Sequence, residues 1–141
     1  MNLLQLDVSK FTSDGALPGF LPFYETMPII LRNRNLSTEL GITNGAQGIV
    51  RQINYDTNSR GLTSATSVLV EFPQSTVHLP HLPKHYFPIT PITWYFSTML
   101  SDGSGNQQKY RVVRLQLPIQ PAFAVTGQSA QGKTLPRVLV N

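Results

Sequence analysis

Asn44-Gly45-Ala46-Gln47-Gly48-Ile49-Val50-Arg51-Gln52-Ile53 joins a tight turn to an apolar strand. Asn-Gly is a strong turn dipeptide because both residues accept positive φ at low cost. Gln47 to Ile53 is short and β-branched, which predicts a strand. The same signature recurs at Met27–Arg32, Ser67–Phe72, Trp94–Phe96 and Tyr110–Leu115. Between the last two, Ser101–Gln108 is polar and glycine-containing, as expected of a hairpin tip, and Asp56–Gly61 reads as another polar loop. Eleven prolines and ten glycines cut the chain into short pieces. Short strands at close spacing predict a mainly β fold, a small barrel or sandwich.

Composition narrows the function classes. A length of 141 residues fits one modest domain, or a small domain plus a piece of another. Apolar residues make up 40%, enough to bury a core. Charged residues are only 13%, where about 25% is usual. Eleven basic residues against seven acidic ones give +4, a balance that leans toward a polyanionic partner. The absence of cysteine excludes a disulfide framework and a thiolate metal site. No apolar run approaches the roughly 18–20 residues that span a bilayer, so no membrane partner is expected. Met1–Asp7 lacks a basic region followed by an apolar stretch, so an intracellular chain is expected.

Near the C-terminus, Gly127-Gln-Ser-Ala-Gln-Gly132-Lys133-Thr134 matches G-x-x-x-x-G-K-[ST] letter for letter. In a phosphate-binding loop this pattern places backbone N–H groups and a lysine around nucleotide phosphates, with a hydroxyl on Mg²⁺. A short apolar strand, Ala122–Val125, precedes it as required. Pro136, however, falls where the first turn of the following helix belongs, and a proline there removes a hydrogen bond and clashes with the preceding turn. No acidic strand follows to hold Mg²⁺. The match therefore points to nucleotide-driven chemistry by another route.

Two segments together resemble the Pif/RecD-like branch of superfamily 1 DNA helicases, in the form carried by eukaryotic mobile elements. Met27–Val50 resembles the family's stretch that opens a small β-barrel, with Asn44, Gly45, Gly48 and Val50 at the matching positions. Leu117–Leu135 resembles the family's motif V, through Pro118, Ala122, Ala124, Thr126, Gln131, Gly132, Thr134 and Leu135. It departs at Gln128, where the family has histidine, and at Ser129, where it has lysine or arginine.

The resemblance implies a mainly β chain. Residues 26–117 would form an SH3-like β-barrel insertion and 118–141 an incomplete α/β strand–loop unit of the second RecA-like domain, while 1–25 are expected as an N-terminal covering segment because 12–22 lack periodicity. The resemblance also implies an enzyme using ATP and Mg²⁺ on single-stranded DNA in the nucleus, in repair, recombination and telomere maintenance. Thr126, Gln128, Gln131, Gly132, Lys133 and Thr134 would lie near the nucleotide and the DNA, where hydroxyls, amides and backbone N–H groups suit phosphate oxygens. The phosphate-binding loop, the Mg²⁺-holding carboxylate and the arginine motif of such an enzyme are not in these residues. Phosphoryl transfer needs lysine, Mg²⁺ and arginine together, so no ATPase activity and no bound cofactor are expected of the chain alone. Its expected partners are single-stranded DNA and the rest of the helicase. Two other readings stand beside this one: a free-standing nucleotide-binding protein using Gly127–Thr134, and a β-barrel interaction module.

Other candidates are less specific. His78, His81 and His85 are spaced by three and four, but Pro80 and Pro83 break the helix that would align them, so a proline-rich surface loop is expected. Ser129 lacks the second glycine of a nucleophile elbow. Arg32 with Arg34, and Lys109 with Arg111, alternate along extended segments and are candidate phosphate contacts. Tyr86, Phe87, Trp94, Tyr95 and Phe96 could stack on bases, although most aromatics in so small a fold are expected in its core. The seven carboxylates are scattered, with no acid–base pair.

Overall fold

The computed structural model describes residues 19–32, 34–59, 61, 63–101 and 105–123. The chain is mainly β, and its described residues form two antiparallel sheets. Its strands are β1 (Pro28–Leu31), β2 (Gln47–Thr57), β3 (Thr63–Glu71), β4 (Tyr86–Ile89), β5 (Ile92–Ser101), β6 (Gln107–Gln116) and β7 (Ile119–Pro121). A five-stranded sheet runs in the order β4-β3-β2-β1-β7, and among the described residues β5 pairs with β6 alone. No ladder joins β4 to β7 among the described residues.

The Asn44-Gly45 turn sets the start of β2. The Ala46 N–H donates to the Thr43 carbonyl at 2.9 Å, closing a four-residue turn. Gly45, with φ +85°, supplies the left-handed position, while Asn44 is not at positive φ, so one of the two residues carries the turn's conformational demand. Asn44 acts differently, through its N–H, which donates to the Asn35 side-chain oxygen at 2.8 Å and ties back the long connection from β1. Gly48 then pairs with Ile29 of β1. A Cβ on Gly48 would sit 2.5 Å from Val70 Cγ1, 2.9 Å from the Glu71 carbonyl oxygen and 3.0 Å from Phe72 Cδ1. Only glycine fits there, and the neighbouring β3 side chains occupy the space.

The core lies on one face of the sheet. Ile29 and Leu31 from β1, Val50 from β2, Val68 and Val70 from β3, Ile89 from β4 and Ile119 from β7 form one buried cluster. Loop residues Ile42, Phe72, Val77 and Leu117 join it. All five strands reach the same cluster, so the sheet curls around its own core in place of packing on a second layer. Bulges at Arg51 on β2 and at Thr66 on β3, where the register shifts, add the local bend that curling needs.

Most expected strands are present and longer than their apolar cores. One further strand, β4, falls on Tyr-Phe-Pro-Ile, which is not among the expected strands. Pro88 pairs with Leu69 on an edge strand. There its missing N–H faces away from the ladder and leaves no partner unsatisfied. β7 pairs with β1 and ends at Pro121, so Ala122 and Phe123 of the strand expected at Ala122–Val125 lie beyond it, and Ala124 and Val125 lie outside the described residues. Positions 124–141, with the whole Gly127–Thr134 stretch, lie outside the described residues. Among the described residues, no helix is long and apolar enough to cross a membrane.

Replacing Gly48 with alanine is expected to lower stability by about 1–3 kcal/mol through overpacking against Val70 and the β3 backbone. Gly61→Ala is the control, because it meets positive φ but open space. Urea denaturation should show a clear fall in midpoint for the first and a smaller one for the second.

Candidate nucleic-acid interface

Two prolines shape the site. β4 continues into β5 across Thr90-Pro91, and β6 continues into β7 across Leu117-Pro118. Proline offers no N–H to a ladder and restricts the residue before it, so both strands leave the five-stranded sheet at these points. Beyond them β5 and β6 pair with each other from Ile92↔Gln116 to Ser101↔Gln107. The result is a long hairpin rooted between the two edge strands.

Alternation along the hairpin separates two faces. Trp94, Phe96 and Thr98 of β5 are buried with Val112 and Arg114 of β6. The Trp94 indole N–H donates to the Gln116 carbonyl at 3.1 Å, and the Arg114 guanidinium lies 5.2 Å from the Phe96 ring centre. Burial pushes the Arg114 pKa below its ordinary value by penalising the charged form. Of the five aromatics weighed as core or stacking residues, Trp94 and Phe96 are buried on this face, Phe87 packs partly buried against the sheet's core and Tyr86 is half-buried.

The opposite face is open. Ladder pairs Thr93↔Leu115, Tyr95↔Val113, Ser97↔Arg111 and Met99↔Lys109 run along it. Tyr95 is 56% exposed and Leu115 67%, with Met99 and Val113 also more than half exposed. The Arg111 guanidinium sits 4.9 Å from the Tyr95 ring centre, a cation–π contact that holds both groups on the surface. Neither strand of the hairpin contains an aspartate or glutamate. Cations, an aromatic ring and no carboxylate on one extended face are the elements of a single-strand binding surface.

The sequence-derived candidates divide accordingly. Lys109 and Arg111 share this face, two residues apart on β6. Arg32 and Arg34 do not lie on a strand: β1 stops at Leu31, and both fall in the connection to β2. Arg32 is half-buried, its N–H donating to the Pro118 carbonyl at 2.8 Å, which places its backbone at the hairpin's root. Arg34 is exposed. Thr126, Gln128, Gln131, Gly132, Lys133 and Thr134 lie outside the described residues. The approach to that stretch is anchored, because the Ala122 N–H donates to the Pro28 carbonyl at 2.9 Å and Phe123 stacks on Tyr24 at 6.4 Å.

Two features were not legible as site features. Tyr95 stood among three consecutive aromatics, and only the β5–β6 register shows that it alone of Trp94, Tyr95 and Phe96 faces out. Arg51 is the reverse case, a cation consumed by structure. Its Nε donates to Glu71 at 2.7 Å, and that hydrogen bond raises its pKa. Of the histidines, His85 is held within the loop: its Nδ1 lies 2.7 Å from the Ser75 carbonyl, which can only accept, so Nδ1 carries the proton. Among the described residues, no three histidine or carboxylate side chains gather as a metal site. No family model matches this chain, and no curated protein matches it significantly.

Trp94 is the chain's one tryptophan, so its emission reports the register directly. A buried indole predicts blue-shifted emission weakly quenched by acrylamide, unchanged by Tyr95→Ala on the other face. A one-residue slip would expose Trp94 and bury Tyr95; strongly quenched, red-shifted emission in the native protein would contradict the faces described.

Proposed function

We propose that this chain is a C-terminal part of a Pif-like DNA helicase that works in the nucleus and helps to grip single-stranded DNA. The observation that carries the reading is the acid-free outer face of the β5–β6 hairpin, with Tyr95, Lys109 and Arg111 exposed together. Phosphates supply most of the affinity for nucleic acid, and lysine and arginine meet them without reading sequence. Tyr95 offers a ring on which any base can stack. The resemblance of Met27–Val50 and Leu117–Leu135 to helicase segments adds the link to ATP and Mg²⁺ in a larger enzyme. In that enzyme Thr126 to Thr134 would couple the DNA grip to the nucleotide, and the chain alone would hydrolyse no ATP.

A second reading, a protein-interaction module, draws on the exposure of Met99, Val113 and Leu115 on the same face. Salt separates the two, because apolar docking lacks the counterion release that makes nucleic-acid binding fall steeply with salt.

Fluorescence anisotropy with labelled oligo-dT tests the proposal. The chain should bind at low salt and lose affinity as salt rises. Lys109→Gln with Arg111→Gln should flatten the slope of log K against log salt by about 1.4, at about 0.7 for each phosphate no longer neutralised. Tyr95→Ala should weaken binding by about 1–3 kcal/mol, or about 5- to 150-fold, with the slope unchanged. No binding at low salt would sink the reading.

A further inference from the structure

We propose that the cavity at the root of the hairpin is a subsite for one unpaired base of the strand tracked by the outer face. This rests on the single-strand reading above. The cavity measures about 390 Å³ and lies between the segment before β1, the start of β3 and the hairpin base. That volume falls within the range of sites for small ligands.

Continuity is the first argument. Leu115 lines the cavity and also belongs to the outer face, in line with Val113, Arg111 and Lys109 on β6. At about 3.3 Å per residue, Arg111 lies about 13 Å and Lys109 about 20 Å along the strand from Leu115. A chain of phosphates held at those cations therefore runs directly into the cavity mouth.

Chemistry is the second argument. Among the described residues the lining contains no charged side chain, so the cavity is not built for a phosphate. It combines Phe20, 57% exposed, with aliphatic Leu115 and Pro91 and the hydroxyl residues Thr63 and Ser64. A nucleobase needs such a set: an apolar or aromatic surface for its face, and short polar groups for its edge. Charge sits up the hairpin and neutral, part-aromatic surface at its root, matching the division between backbone and base in the ligand.

Gln116 holds the two walls together. Its Oε1 accepts from the Leu117 N–H at 3.0 Å, and its Nε2 donates to the Gly19 carbonyl at 3.4 Å. The backbone that carries Phe20 is thereby tied to the hairpin base, and Phe20 is a positioned wall of the cavity.

Photocrosslinking tests the subsite on the full chain. A 5-iodouracil-substituted oligo-dT is irradiated with the protein, and adducts are mapped by mass spectrometry. The proposal expects adducts on Phe20, and expects Ser64→Trp, which fills the cavity, to weaken binding at least about fivefold with an unchanged salt slope. Trp94 emission cannot serve for that variant, so Phe20→Leu is measured in parallel with Trp94 as the folding check; it should lose base-dependent affinity and keep the native emission. Adducts confined to Tyr95 and its neighbours, with both variants binding as the parent does, would overturn the subsite and leave the hairpin reading intact. Failure of the parent to bind at low salt would overturn both.

Discussion

The absence of a side chain at Gly48 is the constraint on which the rest of the sheet depends. Val70 and Phe72 occupy the space where its Cβ would stand, and Ile29 pairs with it from the other side. β1, β2 and β3 can therefore draw together over one core face, with Val50 buried two residues further on. Gly45 feeds β2 into that position by taking the left-handed conformation in the turn before it. The spacing of Gly45, Gly48 and Val50 thus has a separate physical reason at each position: a turn, a close approach and a core side chain.

Beyond this sheet the chain builds a separate two-stranded ribbon, and prolines make that possible. Pro91 and Pro118 release two strands from the sheet at nearly the same level, and among the described residues the freed strands pair with each other. A two-stranded ribbon has two faces and little apolar covering of its own. Here one face is buried and carries Trp94 and Phe96, and the other keeps Tyr95 and two cations in solvent. β7 then returns to the edge of β1, which seats Ile119–Pro121 against the same strand that pairs with Gly48.

The Arg111–Tyr95 contact bears on how such a face would bind. An exposed cation–π contact contributes about 0.5–1 kcal/mol, weak enough for a base to displace the guanidinium from the ring. It is also strong enough to keep two long side chains near one arrangement before a ligand arrives. Either outcome serves a single strand, because a base stacks on a guanidinium plane as well as on a ring. Arg51, by contrast, shows what removes a cation from this role: Glu71, paired with Ile49 on the neighbouring strand, reaches it, accepts its Nε hydrogen bond and forms an ion pair with it.

The amino-acid sequence by itself determined the mainly β class, the hairpin around Ser101–Gln108 and the turn at Asn44-Gly45. These are local properties, carried by β-branched runs, by glycine's access to positive φ and by polar tips. It also held the pairing of Lys109 with Arg111, since residues two apart on a strand share a face whatever the fold. It did not show β4, because a proline-containing run is strand only if it lies at an edge, and edges are a property of sheet order. Nor did it show which face of Trp94-Tyr95-Phe96 meets water, because that is decided by the register with β6 and by what covers each side. Phe20 and Leu115 come together in one cavity for the same reason: far apart in the chain, they meet only through the packing of the segment before β1 against the hairpin's root.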